Sequence, residues 1–501
     1  MTLSLLILIP ILGAVLILLL PAALTARQIR STALVIMAIV LIWTIKVAGN
    51  FDLTMTNFQL SEYFSWIPQL GLSYSLGTDG LSLPLLGLSG FLTTIVIATT
   101  RADIERPRLY YGLILLVNAA LAGAFLAQNL LLFVLFYEVE LIPVYLLIAI
   151  WGSEKRGYAA MKFLLYTAVS GILILAGFLG IAWLSHASNF DYGSINTNNL
   201  STVSQVVLLT LLLVGFGIKI PLVPLHTWLP DAYVESSPPV TILLGGILAK
   251  LGTYGLIRFG LQLFPETWQL IAPGLSIVGV VSVMYGALTA IAQQDIKRMV
   301  AYSSIGHMGY ILVAVAAGNA VSLIGAIAQM IAHGLILAIL FHLVGVVETK
   351  VGTRDLNVLN GLMNPIRGLP LISGLLVMAG MASAGIPGLV GFVAEFLVFQ
   401  GTFRVFPIQS LLCIVASGLT AVYFVILLNR TCFGKLDNSS AYYPRVNNSE
   451  RAPALVLAAL IFFLGIQPNW LLRWIEPTAK TMVVAFESSA PAQIASKEFS
   501  P

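Results

Sequence analysis

The sequence predicts an all-α polytopic membrane protein with about 14 transmembrane helices, built around two inverted five-helix repeats that each contain a broken helix. Three observations lead there. The chain has 501 residues, of which 58% are hydrophobic and 9% charged, whereas soluble chains carry about 25% charged residues. Fourteen stretches are apolar and long enough to cross about 30 Å of hydrocarbon. Two of these stretches, GFGIKIPLVPLHTWLP (215–230) and GMASAGIPGLVGFVAEF (380–396), place Gly and Pro at mid-depth.

In chain order the stretches fall near 3–24, 32–49, 79–99, 109–127, 129–151, 163–184, 206–229, 240–262, 269–291, 299–317, 323–347, 370–400, 408–430 and 452–472. The first reads as a span and not a cleaved signal segment, because no basic region precedes it and Arg27 and Arg30 follow it. With the N-terminus outward, the odd-numbered loops and their bordering span ends hold 17 of the 25 Lys and Arg residues, Arg367 among them. Six face outward, namely Lys46, Arg258, Arg404, Arg473, Lys480 and Lys497. That bias sets the orientation. The last two, Lys219 and Lys250, lie inside spans seven and eight.

The broken spans seven and twelve are five apart, so a repeat of spans four to eight and nine to thirteen makes each the fourth helix of its unit. An odd repeat length inverts the second unit. The chain then divides into 1–100 (helices 1–3), 109–262 (first repeat), 269–430 (inverted repeat) and 452–501 (helix 14 and the C-terminal tail). Paired Gly/Pro-interrupted helices in inverted halves point to an ion path in a transporter. Unwound backbone at that depth survives only where protein or water satisfies it. The alternative is a pair of ordinary proline kinks.

Composition also excludes. A net charge of +4 leaves no basic footprint for nucleic acid. Two cysteines, Cys413 and Cys432, make neither a disulfide framework nor a metal or iron-sulfur cluster, and they read as inert core thiols. No Gly-rich phosphate loop follows a strand pattern. Cofactors are therefore expected on other chains.

A charge at the bilayer centre costs about 2.5–3.5 kcal/mol on insertion scales, so such residues pair, face water or serve a path. The candidates are Glu138 and Glu140 in span five, Lys219 in the break of span seven, Lys250 in span eight and Glu395 in span twelve. Glu138 and Glu140 are about 200° apart around a helix, so one alone can face a given axis, and Glu138 is the one assigned to it. A lysine poised between charged and neutral is a proton carrier; the alternative for the whole set is a static ion-pair network. His226, His307 and His333 are candidate neutral-imidazole relays, His226 equally a helix-end hydrogen-bonding group. His342 reads as a packing residue and His186 as solvent-facing. No histidine pair has metal-ligand spacing, so no metal is expected.

Six segments resemble a known family. GTDGLSLPLLGLSGFLTT (77–94), FYEVELIPVYLLIAIWG (136–152), GFGIKIPLVPLHTWLPDA (215–232), GGILAKLGTYGLIR (245–258), IAQQDIKRMVAYSSIGHMGY (291–310) and AGIPGLVGFVAEF (384–396) are similar to the antiporter-like membrane subunits of type I NAD(P)H dehydrogenase, the complex I family, which is related to subunits of sodium/proton antiporters. The resemblance covers spans three to thirteen. It implies that Glu138, Lys219, Lys250 and Glu395 form a proton path, and Glu395 in span twelve resembles subunit 4. ELIPVYLLIAIWGSEKRGYAAMKFLLYTA is similar to the cyanobacterial and chloroplast branch. That branch implies a thylakoid complex, the N-terminus lumenal, passing electrons from NAD(P)H or ferredoxin through iron-sulfur clusters to plastoquinone, all held by partner subunits. The implied partners are other membrane subunits, antiporter-like ones included, with lipids around them and protons as substrate. LPDAYVES (229–236) departs from the usual wording of the branch, with Tyr233 in place of His, which leaves two versions open, the ordinary plastoquinone-reducing complex and a specialised one for carbon dioxide uptake. The rivals are a stand-alone cation/proton antiporter subunit and a non-transporting membrane scaffold.

Overall fold

The computed structural model describes residues 1–21, 23–365, 368–435 and 443–488, with side chains through 484; Arg367 and Lys497 lie outside the described residues. The helices are α1 (Ser4–Leu19), α2 (Ala26–Gly49), α3 (Ser82–Thr99), α4 (Pro107–Leu126), α5 (Leu130–Val139), α6 (Leu141–Trp151), α7 (Arg156–Leu184), α8 (Thr202–Lys219), α9 (Trp228–Glu235), α10 (Pro238–Leu243), α11 (Ala249–Gly255), α12 (Pro265–Ile291), α13 (Ile296–Ala317), α14 (Ala320–Val351), α15 (Pro370–Ser383), α16 (Val390–Phe403), α17 (Pro407–Thr431), α18 (Asn448–Ile466) and α19 (Asn469–Ser488). Among the described residues, twelve spans are long and apolar enough to cross a membrane, counting α5–α6 as one and α10–α11, from Pro238 to Leu261, as another. The first and twelfth expected spans are shorter: α1 has 16 residues, and α15 and α16 have 14 each.

Prolines divide spans seven and twelve as expected, and they divide span five as well. Pro143 has no N–H for the Val139 carbonyl, and span five breaks at Glu140 between α5 and α6. In span seven, Pro221 cannot bond the Gly217 carbonyl, which accepts the Leu222 N–H at 2.9 Å instead. The Trp228 indole donates to the Ile218 carbonyl at 2.8 Å. In span twelve the chain turns through Gly385 (φ +70°) and Gly388 (φ +91°) around Pro387. The two broken helices run in opposite directions. The end of α9 is held at one end of α14, where Arg354 donates to the Val234 carbonyl. The end of α16 is held at the other, where Asn319 donates to the Gly401 carbonyl. An inverted pair of halves produces this arrangement.

Two elements go beyond the expected spans. The loop before α3 is a hairpin, β1 (Gln59–Ile67) with β2 (Leu72–Thr78), antiparallel. The alternation of Leu72, Tyr74 and Leu76 with serines, after a Pro68–Gly71 turn, is the sequence signal for it. Glu62 of β1 accepts the Leu3 N–H at 2.7 Å and also the Ser4 hydroxyl, and so ties α1 to the hairpin. Burial alone would raise the Glu62 pKa, but these donors outweigh it and hold the carboxyl below its usual value. The latch is therefore in place above the ordinary carboxylate range and is lost as pH falls through the depressed value. The expected C-terminal tail contains α19, whose Leu471, Ile475, Ala479 and Met482 turn inward with the period of an amphipathic helix. Gly80 donates its N–H to Thr478 of α19 at 2.9 Å. Cys413 and Cys432 are buried free thiols.

The most extensive helix pair is α12 with α13. A Cβ on Gly286 would stand 2.6 Å from the Gly306 amide nitrogen and 2.9 Å from the Tyr302 carbonyl, and one on Gly309 2.7 Å from the Gly279 carbonyl. Backbone cannot yield as a side-chain tip can, so Gly286→Ala is expected to lower stability by about 1–3 kcal/mol. The measurement is the thermal midpoint of the purified protein. Gly274→Ala on the same helix, where an added methyl meets nothing within 4 Å, should leave it unchanged.

Candidate functional site

The site begins at the kink between α5 and α6. Glu140 sits at the join, 0% exposed, and its carboxylate takes an ion pair from Lys219 at the end of α8, 1% exposed. The Lys219 ammonium also lies 4.7 Å over the Tyr137 ring. The acid that meets Lys219 is thus Glu140, and not Glu138, the one assigned to the axis. The 200° between the two acids turns Glu138 the other way, against Gly171, where a Cβ would overlap its carboxylate. Among the described residues its Oε1 has no hydrogen-bond partner. The identity of the inward-facing acid depends on where Pro143 kinks the helix and on the rotation of α5 against α7, neither of which spacing reveals.

Lys250 of α11 is wholly buried, between two stretches of π-helix, Leu244–Leu248 and Leu256–Leu261. Its ammonium donates to the Gly245 carbonyl and lies 3.0 Å from His333 Nδ1 on α14. The wider π turn is a common local device at functional sites. His333 and His307 of α13 follow at a centroid separation of 5.3 Å, tilted by 37°. His307 Nδ1 is 3.3 Å from Glu395 Oε1, and its Nε2 is 2.9 Å from the Ser383 hydroxyl. Gln329 Nε2 stands 3.3 Å from the same Nδ1. Ser417 donates to Glu395 Oε2 at 3.1 Å.

The contacts restrict where the protons sit: for His307 Nδ1 to donate to Glu395, the Gln329 amide must turn its oxygen to that nitrogen, and Nε2 then accepts from Ser383. His333 Nδ1 faces the Lys250 ammonium, and among the described residues its Nε2 has no hydrogen-bond partner. Lys250, His333, His307 and Glu395 thus form a continuous buried run of titratable groups. Gly385 makes its far end possible: its positive φ suits glycine, and a Cβ there would stand 2.7 Å from Glu395 Oε2. Lys219 and Lys250 belong to adjoining helices, with the Lys219 Cβ 3.1 Å from where a Cβ on Gly252 would be.

Of the predicted residues, His226 stands apart. It packs on Tyr285 at a centroid separation of 4.7 Å, away from the other histidines. His342 lies within hydrogen-bonding distance of the Glu450 carbonyl, 2.7 Å, a tethering contact. Sequence reasoning missed Gln329, Ser383 and Ser417, which carry no charge to single them out. It also missed the buried pair of Arg258 with Asp79, 2.6 Å apart, although Asp79 lay within a quoted motif. Among the described residues no group of three or more His, Cys, Asp or Glu gathers as for a metal ion.

Comparison with known proteins adds four findings. Residues 127–420 match the family described as NADH:quinone oxidoreductase/Mrp antiporter, TM. Over its whole length, and 96% of the relative, the chain is 38% identical to NAD(P)H-quinone oxidoreductase chain 4 1 of Synechococcus sp. (strain JA-3-3Ab). Among solved structures it is similar to a chain of respiratory complex I from Thermus thermophilus with a TM-score of 0.86 at 26% identity, covering 97% of this chain and all of that one. It is also similar, in fold alone, to a chain of the Mrp complex from Dietzia sp. DQ12-45-1b with a TM-score of 0.85 at 22% identity, covering 97% of this chain and 98% of that one.

Glu140→Gln would leave a buried ammonium without its anion, a loss expected to cost about 3–5 kcal/mol. Replacing both partners, Glu140→Gln with Lys219→Met, should recover most of it. Glu138→Gln should be near neutral for stability. Thermal unfolding of the four proteins, parent and three variants, checks this; equal losses for Glu138→Gln and Glu140→Gln would refute the assigned pair.

Proposed function

The chain belongs to the NADH:quinone oxidoreductase/Mrp antiporter family, and from that premise we propose that its buried polar run carries protons across the membrane. It is an antiporter-like membrane subunit of NAD(P)H-quinone oxidoreductase, of the complex I type, with chain 4 relatives. The observation behind the proton path is the enclosed run from Lys250 through His333 and His307 to Glu395. Imidazoles between a lysine and a carboxylate can pass a proton by alternating which nitrogen holds it. Lys219 with Glu140 forms the second element, and Glu138 and His226 are proposed as contacts with water-filled half-paths.

Electrons move elsewhere in this reading, so their energy reaches the chain as an electrostatic or conformational push. Moving one charge against 100 mV takes about 2.3 kcal/mol. Breaking a buried ion pair is worth about 3–5 kcal/mol, so separating Glu140 from Lys219 is an event of the right size. We place the complex in a cyanobacterial or chloroplast thylakoid membrane, with the N-terminus lumenal. NAD(P)H or ferredoxin, iron-sulfur clusters and plastoquinone belong to its partner subunits. Proton pumping by a redox complex is preferred to stand-alone cation exchange because the relative matched over the whole chain is a quinone oxidoreductase subunit. Sodium-dependent exchange by this chain without redox partners would reverse that preference.

Lys219→Ala is expected to abolish proton pumping while leaving the complex assembled, as judged by proton uptake per electron in sealed vesicles. Glu395→Gln keeps volume and hydrogen bonding but removes the charge, and should stop proton release; Glu395→Asp should retain part of it. Gly171→Ala displaces the Glu138 carboxylate without touching the Glu140–Lys219 pair, so it reports on Glu138 alone. Normal stoichiometry in Lys219→Ala and Glu395→Gln would overturn the path.

The LPDAYVES segment supports assignment to a carbon dioxide uptake arm. Tyr233 is fully buried there against Phe341, at a centroid separation of 5.6 Å. On this reading the purified complex carries a carbon dioxide hydration module, and deletion of the gene slows growth at low carbon dioxide while respiration persists. Loss of respiratory electron flow with unchanged carbon uptake would place the chain in the ordinary plastoquinone-reducing complex.

A further inference from the structure

An apolar groove of about 360 Å³ opens between α2, α3, α14, α18 and α19, at the end of the bundle that carries the hairpin. Thr44, Leu83, Gly87, Leu464, Trp470 and Trp474 are among its walls. Thr44 is the sole hydroxyl on those walls, and it already donates to the Val40 carbonyl of its own helix at 2.8 Å. From Leu83 to Phe91 the groove follows α3 for eight residues, about 12 Å at helical rise. A Cβ added at Gly87 would meet nothing within 4 Å, so glycine leaves a notch. Water gains no hydrogen bonds in a space walled this way.

The mouth has a different chemistry. Trp470 and Trp474 stand there, indoles of the kind that settle at the headgroup level. The Arg473 guanidinium lies 6.0 and 5.8 Å from their two rings. It makes no ion pair among the described residues, since Glu476 on the same helix is held by Lys480 at 2.6 Å. Lys46, next to the groove-lining Ile45, is a second cation without a carboxylate partner among them, 4.2 Å over the Trp43 ring. A deep apolar slot with unneutralised cations at its mouth is complementary to one kind of molecule, an acyl chain that ends in an anionic head.

We propose that this groove binds an anionic membrane lipid, one acyl chain lying along α3 and the head group against Arg473. The site is separate from the buried polar run. Ile331 and Leu335 form part of its wall and bracket His333 on α14, so the lipid backs the helix that carries that histidine.

The test uses the intact complex, purified through exhaustive detergent exchange, with retained lipids extracted and identified by mass spectrometry. The parent should hold one more anionic lipid per complex than Gly87→Phe, which fills the notch. Arg473→Gln should keep a lipid but shift its selection toward neutral head groups by about fivefold, the worth of one cation near an anionic headgroup. Leu464→Phe narrows the groove from another helix and should repeat the loss if Gly87→Phe fails to assemble. Equal retention of anionic lipid in parent and filled variants would overturn the proposal. So would recovery of a neutral isoprenoid in its place, or capture of the groove by a neighbouring subunit's helix with no lipid released.

Discussion

A polar group inside hydrocarbon has no water to fall back on, and this requirement shapes the molecule from backbone to site. Each proline that breaks a span frees a carbonyl, and each freed carbonyl needs another donor. The Leu222 amide and the Trp228 indole meet that need around the break after Lys219. The same rule governs charge. Glu140 and Lys219 neutralise each other where neither touches solvent, and Asp79 and Arg258 do so nearer the hairpin end. Removing one member of such a pair is costly because the remaining charge stays buried.

The two halves answer this requirement differently. In the first, a kinked helix and a broken helix present one acid and one lysine to each other. In the second, two imidazoles stand between Glu395 and the first half's Lys250, with the Ser383 hydroxyl against His307 and the Ser417 hydroxyl on Glu395. The join is made of close backbone packing. A Cβ on Gly334 of α14 would come within 2.6 Å of the Gly246 carbonyl, and one on Gly252 within 3.0 Å of the Ile220 amide nitrogen. Small residues at these crossings bring Lys250 near both the Lys219 break and His333. The ion pair thus sits in close backbone contact with the helix that begins the run of imidazoles.

The elements outside the spans brace the hairpin end of this arrangement. Glu62 fastens α1 to the hairpin, and α19 crosses the mouth of the bundle to meet Gly80. Their amphipathic patterns are visible in the sequence, yet beside long apolar runs they are weak signals, since a nine-residue strand and a mixed helix have far less hydrophobic contrast than a membrane span.

Composition and hydropathy by themselves determined that this is a polytopic helical membrane protein. The Gly and Pro positions located both broken helices, and the quoted motifs identified the family. The isolated charges of Lys250 and Glu395 were legible because an ionisable residue in an apolar run is conspicuous. Whether Glu138 or Glu140 meets Lys219 was decided only in three dimensions, as were the stacking of His307 with His333 and the exclusion of His226 from their run. The physical reason is angular: periodicity gives a residue's place along a helix, whereas the partner it meets depends on kink, π turn and rotation, which packing against other helices sets.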